Sequence, residues 1–300
     1  MQKEKSLIYS LIVLISLLSF SYIFLISQKS SKEETTPQVT NPITDNNSQV
    51  SPIIDYELNE ESQPEKTEDA LLLDSQEQIR GTSTGASFSV LTFPLSSSTI
   101  ATDTAGDDDC SDNCPTKSLV QYVKDNGGQA GMNGTYFCPP DYSWCSGKVN
   151  SYDFPVWNNR KKKWMQSSKL FWGGRGMFVF RPGSAQFFSN ASSVGAPSDI
   201  TGGIINYPSL IAGGNVVLNE GSLPDNLKIT KGTRSGIGVG GGKIFLVVAR
   251  KANMGDLVKI FQSLGATDAL NLDGGGSAAL YQGKYKAGPG RNLPNAIIVK

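Results

Sequence analysis

Asn271-Leu272-Asp273-Gly274-Gly275-Gly276-Ser277 is the most informative stretch of the chain. Residues 269–272 are apolar apart from Asn271, which predicts a buried strand with the carboxylate of Asp273 at its end. Burying a carboxylate without a partner costs free energy. The glycines after it let a ligand approach the bare backbone, and N–H groups exposed in such a loop can bind an anion. The stretch therefore favours a ligand that is both sugar and phosphate. An ordinary Asp-Gly turn between two strands is the alternative.

Strand and helix patterns around this stretch indicate an α+β fold. Gly240-Gly241-Gly242 predicts a hairpin between strands 235–239 and 243–249. Asn253 caps a helix with one apolar face, and Gly265 ends it. Further predicted elements are a helix over 117–125 capped by Thr116, a hairpin of 177–181 with 185–188, and strands near 86–90, 129–137, 215–218, 278–281 and 296–299. The fold class is therefore a mixed, largely antiparallel sheet arrangement with a few packed helices, in a single globular domain over 81–300.

The N-terminal region predicts a membrane anchor and a stalk. Residues 7–26 form an uncharged apolar run, long enough to span a membrane, and Lys3 and Lys5 favour a cytoplasmic N-terminus. We expect residues 1–27 to form a single-pass anchor in the cell membrane with the catalytic domain extracytoplasmic. A cleaved signal peptide is the alternative, although the small-residue cleavage pattern is missing. Residues 28–80 are polar and predict a disordered stalk.

Composition excludes several kinds of chemistry. The chain has 27 lysines and arginines against 27 aspartates and glutamates, so it lacks the surplus of basic residues that would point to nucleic-acid binding. It contains no histidine, which excludes the Ser-His-Asp triad, the Cys-His pair and His-ligated zinc. Proton transfer must then use Asp, Glu, Tyr, Lys or Cys. A bound metal would need oxygen or thiolate ligands.

Four cysteines lie close together beyond the predicted anchor: Cys110, Cys114, Cys138 and Cys145. In an oxidising compartment, this even number predicts two disulfides, with three pairings open. A zinc site with four thiolates is the alternative, but its usual C-x2-C spacing is missing.

Two charged runs have alternative interpretations. Asp107-Asp108-Asp109 with Asp112 resembles a site for a hard cation such as calcium, but the spacing does not match an EF-hand, which favours a solvated acidic turn. Arg160-Lys161-Lys162-Lys163 is interpreted as a solvated loop rather than a surface for an anionic wall polymer. We therefore expect no metal site and no cofactor.

Two further motifs carry groups suited to sugar and phosphate. Asn133-Gly134-Thr135-Tyr136-Phe137 places an amide and a phenol where a strand becomes a loop. Arg234 begins a strand, and arginine is the natural bidentate partner of phosphate. Taken alone, each motif favours the structural interpretation, an Asn-Gly turn and a surface arginine.

Taken in order, these motifs resemble the phosphodiester glycosidase family, whose members include an N-acetylglucosamine-1-phosphodiester α-N-acetylglucosaminidase. The matching segments are 133–137, Pro208-Ser209-Leu210-Ile211-Ala212-Gly213-Gly214, Arg234-Ser235-Gly236-Ile237-Gly238 and 271–277. The resemblance covers about residues 87–300. Residues 138–164 depart from the family pattern directly after Asn133, and we expect them to reshape the pocket.

The resemblance implies hydrolysis of a sugar-1-phosphodiester or a related glycosidic bond. It implies Asp273, Arg234 and Asn133 as catalytic residues. It implies a substrate-binding set of Tyr136, Gly134, Asn271, Gly274, Gly275, Gly276 and Ser277. We expect Asp273 to act as nucleophile or base, with Arg234 on the phosphate and Asn133 and Tyr136 on the sugar. The candidates for a second carboxylate are Glu220, Asp153 and Asp199.

These observations predict a hydrolase acting on cell-envelope or exopolysaccharide phosphodiesters, with a carbohydrate or sugar phosphate as substrate. One alternative is a non-catalytic glycan-binding module anchored at the cell surface, which would retain the glycan without releasing a reducing sugar. The other alternative is a secreted inhibitor or structural protein whose glycines serve turns alone. This alternative predicts that there is no pocket at Asp273.

Overall fold

Antiparallel strands dominate the computed structural model of the chain, which describes residues 78–81, 85–288 and 290–300. The predicted anchor and nearly all of the predicted stalk lie outside these residues. The strands are β1 (Gln78–Gly81), β2 (Ser87–Pro94), β3 (Ile100–Thr104), β4 (Ala130–Asn133), β5 (Val156–Asn158), β6 (Lys163–Met165), β7 (Gly176–Arg181), β8 (Ser184–Phe188), β9 (Gly202–Asn206), β10 (Ser209–Ala212), β11 (Asn215–Val216), β12 (Gly232–Gly240), β13 (Lys243–Ala252), β14 (Asp268–Leu272), β15 (Leu280–Gln282), β16 (Lys284–Ala287) and β17 (Asn295–Val299). The helices are α1 (Leu119–Asp125), α2 (Asp225–Lys228) and α3 (Met254–Ser263).

The strands form three sheets. The first is 7-stranded with the order β1-β2-β13-β12-β14-β10-β11, the second 5-stranded with the order β16-β15-β4-β17-β3, and the third 5-stranded with the order β6-β5-β9-β7-β8. Within the described residues, the strand pairs are antiparallel. The described chain falls in one compact unit that extends to Lys300. The predicted α+β class, with mostly antiparallel sheets and few helices in a single domain, is confirmed.

Two layers of apolar side chains cover the 7-stranded sheet. One face shares a core with strands of the other two sheets, through residues such as Leu272, Met132 and Phe178. The opposite face packs against α3 through Phe261. A methyl group at Gly236 would lie 2.7 Å from the Phe261 ring, so the glycine lets the helix approach the sheet closely. This packing fixes β12 and β14, the strands that lead to Arg234 and Asp273.

Most predicted elements occur, with shifted ends. Both predicted hairpins form, as β7–β8 and β12–β13. Helix α3 begins as predicted after Asn253, whose side chain accepts from the Asp256 N–H while Asp256 caps the Asn253 N–H in return. The predicted strand over 215–218 is only Asn215–Val216, and the strand expected at 278 begins at Leu280, because a 3-10 turn occupies Gly275–Ser277.

Two predicted boundaries were wrong for identifiable reasons. Helix α1 is capped by Ser118, which accepts from the Gln121 N–H, rather than by Thr116. Lys117 exchanges backbone hydrogen bonds of 2.9 and 2.8 Å with Leu293 and stays extended, which delays the helix. Strand β4 stops at Asn133 rather than 137, because the Thr135 N–H turns to the Asn295 side chain at 2.9 Å.

The cysteines form the predicted two disulfides. Cys110 pairs with Cys114, and Cys138 pairs with Cys145, which selects one of the three pairings left open by the sequence. Each disulfide therefore closes a short local loop.

The two charged runs neutralise each other. Lys161 and Lys163 pair with Asp107 and Asp108 at 2.8 and 2.7 Å. Arg160 pairs with the fully buried Asp103 at 2.8 Å, so the basic run is not simply a solvated loop. In the described part of the chain, no group of three or more acidic or cysteine side chains is arranged to hold a metal ion.

Among residues 78–81, 85–288 and 290–300, no helix has both the length and the apolar character needed to cross a bilayer. The run over 7–26 lies outside those ranges, so the anchor stays a prediction.

Candidate active site

Asp273 lies where β14 leaves the sheet, and its backbone is fastened to the end of β4. Its N–H donates to the Gly134 carbonyl at 3.1 Å. Its own carbonyl accepts from the Asn133 side-chain amide at 2.7 Å. Asn133 and Asp273, predicted from motifs far apart in sequence, are therefore in direct contact.

The carboxyl group of Asp273 is poised to exchange a proton near neutral pH. The side chain is partly buried, and this burial raises its pKa from 3.8 to about 7. Hydrogen bonds from Ser277 and from the Gly274 N–H, together with the charge of Arg291, oppose the shift, whereas the charge of Asp153 adds to it. A carboxyl with such a pKa suits a general base or acid.

The glycine loop after Asp273 is required by its surroundings. A methyl group at Gly274 would lie 2.7 Å from the Thr233 carbonyl oxygen, and one at Gly276 would lie 2.5 Å from the Arg291 guanidinium. Gly275 adopts a φ of 56°, which favours glycine. Gly275 and Gly276 are exposed, so a ligand can approach their backbone.

Asn133 acts on the backbone around the site. The side chain is fully buried, and its Oδ1 accepts from the Ala279 N–H at 3.0 Å while Nδ2 donates to Asp273. It thereby clamps the two ends of the glycine loop together. A methyl group at the neighbouring Gly134 would overlap the Asn295 amide.

Tyr136 and Asn271 form a hydrogen-bonded pair in the candidate site. The Asn271 amide donates to the Tyr136 hydroxyl at 2.6 Å and to the Tyr207 carbonyl at 2.9 Å. Burial and, to a smaller extent, the charge of Asp273 raise the pKa of Tyr136, so the phenol stays protonated. The buried Oδ1 of Asn271 has no protein partner among the described residues, which leaves an acceptor for a ligand hydroxyl or water.

Arg234 lies beside the site, but its guanidinium is engaged. Its Nε donates to the Ala252 carbonyl at 3.2 Å, and one terminal nitrogen donates to the carbonyls of Thr230, at 2.8 Å, and Asn226. Burial lowers the pKa of Arg234, and the nearby Tyr136 partly offsets this. These contacts hold the loop after α2, and phosphate binding by Arg234 stays a prediction.

Sequence reasoning missed Arg291, which lies against Gly276 and electrostatically near Asp273. It pairs with the exposed Asp141 at 2.9 Å. Its place in an irregular segment before β17 gave no periodic signal. Two buried asparagines were missed as well: Asn206 donates to the Asn271 carbonyl at 2.8 Å, and Asn295 accepts from the Thr135 N–H.

Of the three candidates for a second carboxylate, only Asp153 is electrostatically linked to Asp273. The Asp153 residue is exposed, yet partial desolvation of its carboxyl raises its pKa, while the charges of Lys169 and Lys148 lower it. Glu220 lines a different cavity, of about 420 Å³, beside the start of α3. Asp199 is exposed on the loop before β9.

A cavity of about 490 Å³ lies next to the Tyr136–Asn271 pair. Its lining includes Arg175, Ser189, Tyr207, Pro208 and Asn219. The Pro208 carbonyl accepts from the Asn271 N–H at 3.2 Å, so the cavity adjoins the strand that carries Asp273. Its hydroxyl, amide and guanidinium groups are suited to a polar ligand.

Comparison with known families identifies the family of the chain. The family model described as phosphodiester glycosidase matches residues 127–300. The chain belongs to the phosphodiester glycosidase family. The matched region contains Asn133, Arg234, Asp273 and the Cys138–Cys145 disulfide, whereas Cys110 and Cys114 lie before it. No curated protein matches the sequence.

Two solved structures share the fold. The catalytic domain of zebrafish N-acetylglucosamine-1-phosphodiester α-N-acetylglucosaminidase, solved as a form auto-inhibited by its pro-peptide, has a TM-score of 0.54 and 17% identity over 75% of this chain and 82% of that chain. A hypothetical protein from Synechocystis has a TM-score of 0.50 and 17% identity over 75% of this chain. The alignment spans only 61% of the Synechocystis protein. At this identity, both likenesses show the fold alone.

Proposed function

We propose that this member of the phosphodiester glycosidase family is an extracytoplasmic hydrolase that cleaves a sugar-1-phosphodiester, or a related glycosidic bond, in cell-envelope or exopolysaccharide material. The observation that carries the proposal is the carboxyl of Asp273, held with a pKa of about 7 beside an exposed glycine loop. Family membership supports the hydrolase class.

The reaction breaks the bond between C1 of the sugar and the phosphate oxygen. The leaving phosphomonoester keeps the electron pair and, because it is a weaker base than a sugar alkoxide, needs little protonation. The carboxylate of Asp273 either attacks C1 and forms a glycosyl-enzyme ester that water then hydrolyses, or takes a proton from a water that attacks C1 directly. In both courses water supplies the new hydroxyl at C1 with which the sugar leaves. No histidine is needed in either course.

The surrounding residues would orient the substrate and balance charge. We assign the phosphate to the exposed backbone of Gly275 and Gly276 and to the guanidinium of Arg291, which lies against this loop. The pair between Arg291 and Asp141 is no obstacle, because the Asp141 carboxylate is exposed to water and a surface ion pair contributes little free energy. Tyr136 and the free Oδ1 of Asn271 are suited to sugar hydroxyls.

The cellular location rests on two features of the sequence. The apolar run over 7–26 supports a single-pass membrane anchor. The two disulfides support an oxidising, extracytoplasmic compartment. The substrate would then be carbohydrate outside the cell.

The test uses N-acetylglucosamine α-1-phosphate esterified to methanol. An enzyme releases reducing sugar from it, and NMR of the first product distinguishes retention from inversion at C1. The alternative, a glycan-binding module, would bind such compounds without releasing sugar. Binding without release, for this and other sugar-1-phosphodiesters, would contradict the enzymatic proposal.

A further inference from the structure

Among the described residues that line the cavity of about 490 Å³, Arg175 is the one that carries a charge. The other lining residues are uncharged, and several of them carry a hydroxyl or an amide. The volume falls within the range of about 300–1,000 Å³ that is common for ligand sites. The cavity therefore combines room for a small ligand with a single positive charge.

The guanidinium of Arg175 has hydrogen-bond donors without acceptors. Its Nη1 donates to the Gly173 carbonyl, whereas its Nε is buried and has no partner among the described residues. No carboxylate in the described part of the chain pairs with it. The ring centres of Phe154 and Trp172 lie 5.7 and 5.9 Å from the guanidinium and help to fix its position. A donor left without an acceptor in this way costs free energy, and a bound oxyanion would supply the acceptor.

The Tyr207 hydroxyl in the same cavity is only loosely engaged. It contacts the carbonyl oxygen and the hydroxyl of Ser222, both at 3.4 Å, which is long for a hydrogen bond between oxygens. Ser209 and Asn219 line the same cavity. A sugar hydroxyl both donates and accepts, so it can pair with any of these groups. The lining thus suits a saccharide that also carries a negative charge.

The cavity is connected to the candidate active site through Asn271. The Asn271 amide donates to the Tyr207 carbonyl at 2.9 Å and to the Tyr136 hydroxyl at 2.6 Å. The ring of Phe154, which lies against Arg175, has its centre 6.3 Å from the centre of the Tyr136 ring. If Tyr136 and Asn271 hold the sugar whose C1 reacts, a sugar residue linked to it reaches the cavity.

We propose that Arg175 binds the carboxylate of an acidic sugar, so that the cavity is a subsite for a uronic acid in the glycan on which the enzyme acts. The inference rests on the proposed function and adds a charged sugar to its substrate. A carboxylate is planar and carries one charge, which matches a single planar guanidinium. A phosphate monoester carries up to about two charges at neutral pH, whereas the lining offers one cation among the described residues.

The test compares methyl β-D-glucuronide with methyl β-D-glucoside, which differ only in a carboxylate in place of a hydroxymethyl group. Calorimetric titration into the full-length protein at low ionic strength gives a Kd for each ligand. We expect the glucuronide to bind at least about tenfold more tightly, and Arg175→Gln to remove that difference. Arg175→Lys keeps the charge without the planar fork and should retain part of it. Arg181→Gln, at the other end of β7, is the matched control and should keep the full difference.

Equal binding of the two ligands by the wild type, or the same loss in Arg181→Gln, would overturn the inference. Inorganic phosphate that binds more tightly than the glucuronide, in a manner that depends on Arg175, would overturn it as well. If Arg175→Gln does not fold, Tyr207→Phe removes only the loosely held hydroxyl and should weaken glucuronide binding by about threefold; unchanged binding would reject the subsite.

These measurements do not require turnover, so they separate the subsite from the proposed function. Glucuronide binding that depends on Arg175 supports the subsite even if the protein hydrolyses nothing. Hydrolysis of a sugar-1-phosphodiester without such binding rejects the subsite alone.

Discussion

Replacing Asp273 by asparagine should stabilise the protein at alkaline pH. Burial raises the pKa of Asp273 from 3.8 to about 7, so between these values the folded chain holds a proton that the unfolded chain has lost. The wild-type fold therefore loses stability as pH rises through this window. Asparagine has a similar shape, retains an oxygen for the Gly274 N–H, and does not titrate.

The magnitude follows from the size of the shift. About three pKa units correspond to about 4 kcal/mol at 1.36 kcal/mol per unit, and partial exposure of the side chain reduces this to about 2 kcal/mol. We expect Asp273→Asn to exceed the wild type by about that free energy of unfolding at pH 8 and by almost nothing at pH 4.

Urea unfolding followed by tryptophan fluorescence, with the disulfides intact, measures both proteins at both pH values. The comparison at pH 4 is the internal control for any change in packing or hydrogen bonding. A gap of the same size at pH 4 and pH 8, or a wild type that is the more stable protein at pH 8, would refute the account of a partly buried carboxyl with a raised pKa at this position.

Three further predictions follow from neighbouring contacts. Because the charge of Arg291 lowers the pKa of Asp273, Arg291→Gln should move the rising limb of the pH profile of kcat/KM to higher pH. Arg291→Lys should give a limb between those of the wild type and Arg291→Gln. A limb at the wild-type pH in Arg291→Gln would contradict an electrostatic effect of Arg291 on the site. Gly134→Ala should lower the free energy of unfolding by about 1–3 kcal/mol, since the added methyl overlaps the Asn295 amide, whereas Gly173→Ala, whose nearest neighbour would be 4.0 Å away, should leave it within about 0.5 kcal/mol in the same urea titration. Calcium should not raise the Tm in calorimetry, because Lys161 and Lys163 already neutralise the acidic turn. A rise of several degrees would show instead that the acidic turn binds the cation.

The site could be predicted from sequence where local chemistry alone decides the structure. Asp273 and its glycines mark a strand end, and Asn133 lies in a motif where a strand becomes a loop, so both could be named as candidates from the sequence. Which groups these residues bind depends on partners far away in sequence. The amide of Asn133 faces backbone rather than open space, because the glycine loop folds onto it.

The misses have the same origin. Arg291 gains its position only when the segment before β17 passes the glycine loop, which no pattern within that segment reveals. Strands β3 and β5 are short, and their polar residues Asp103 and Asn158 are buried by pairing with Arg160 and Thr104. Their sequences therefore lack the alternation that marks a strand.

The central claim is that Asp273 cleaves a sugar-1-phosphodiester, and one comparison tests it most directly. The release of reducing sugar from N-acetylglucosamine α-1-phosphate methyl ester is measured for the wild type, Asp273→Asn and Asp268→Asn, the last being the same change at the other end of β14. The account predicts release by the wild type and Asp268→Asn and none by a folded Asp273→Asn protein. An Asp273→Asn protein that turns over the substrate at the wild-type rate would contradict it.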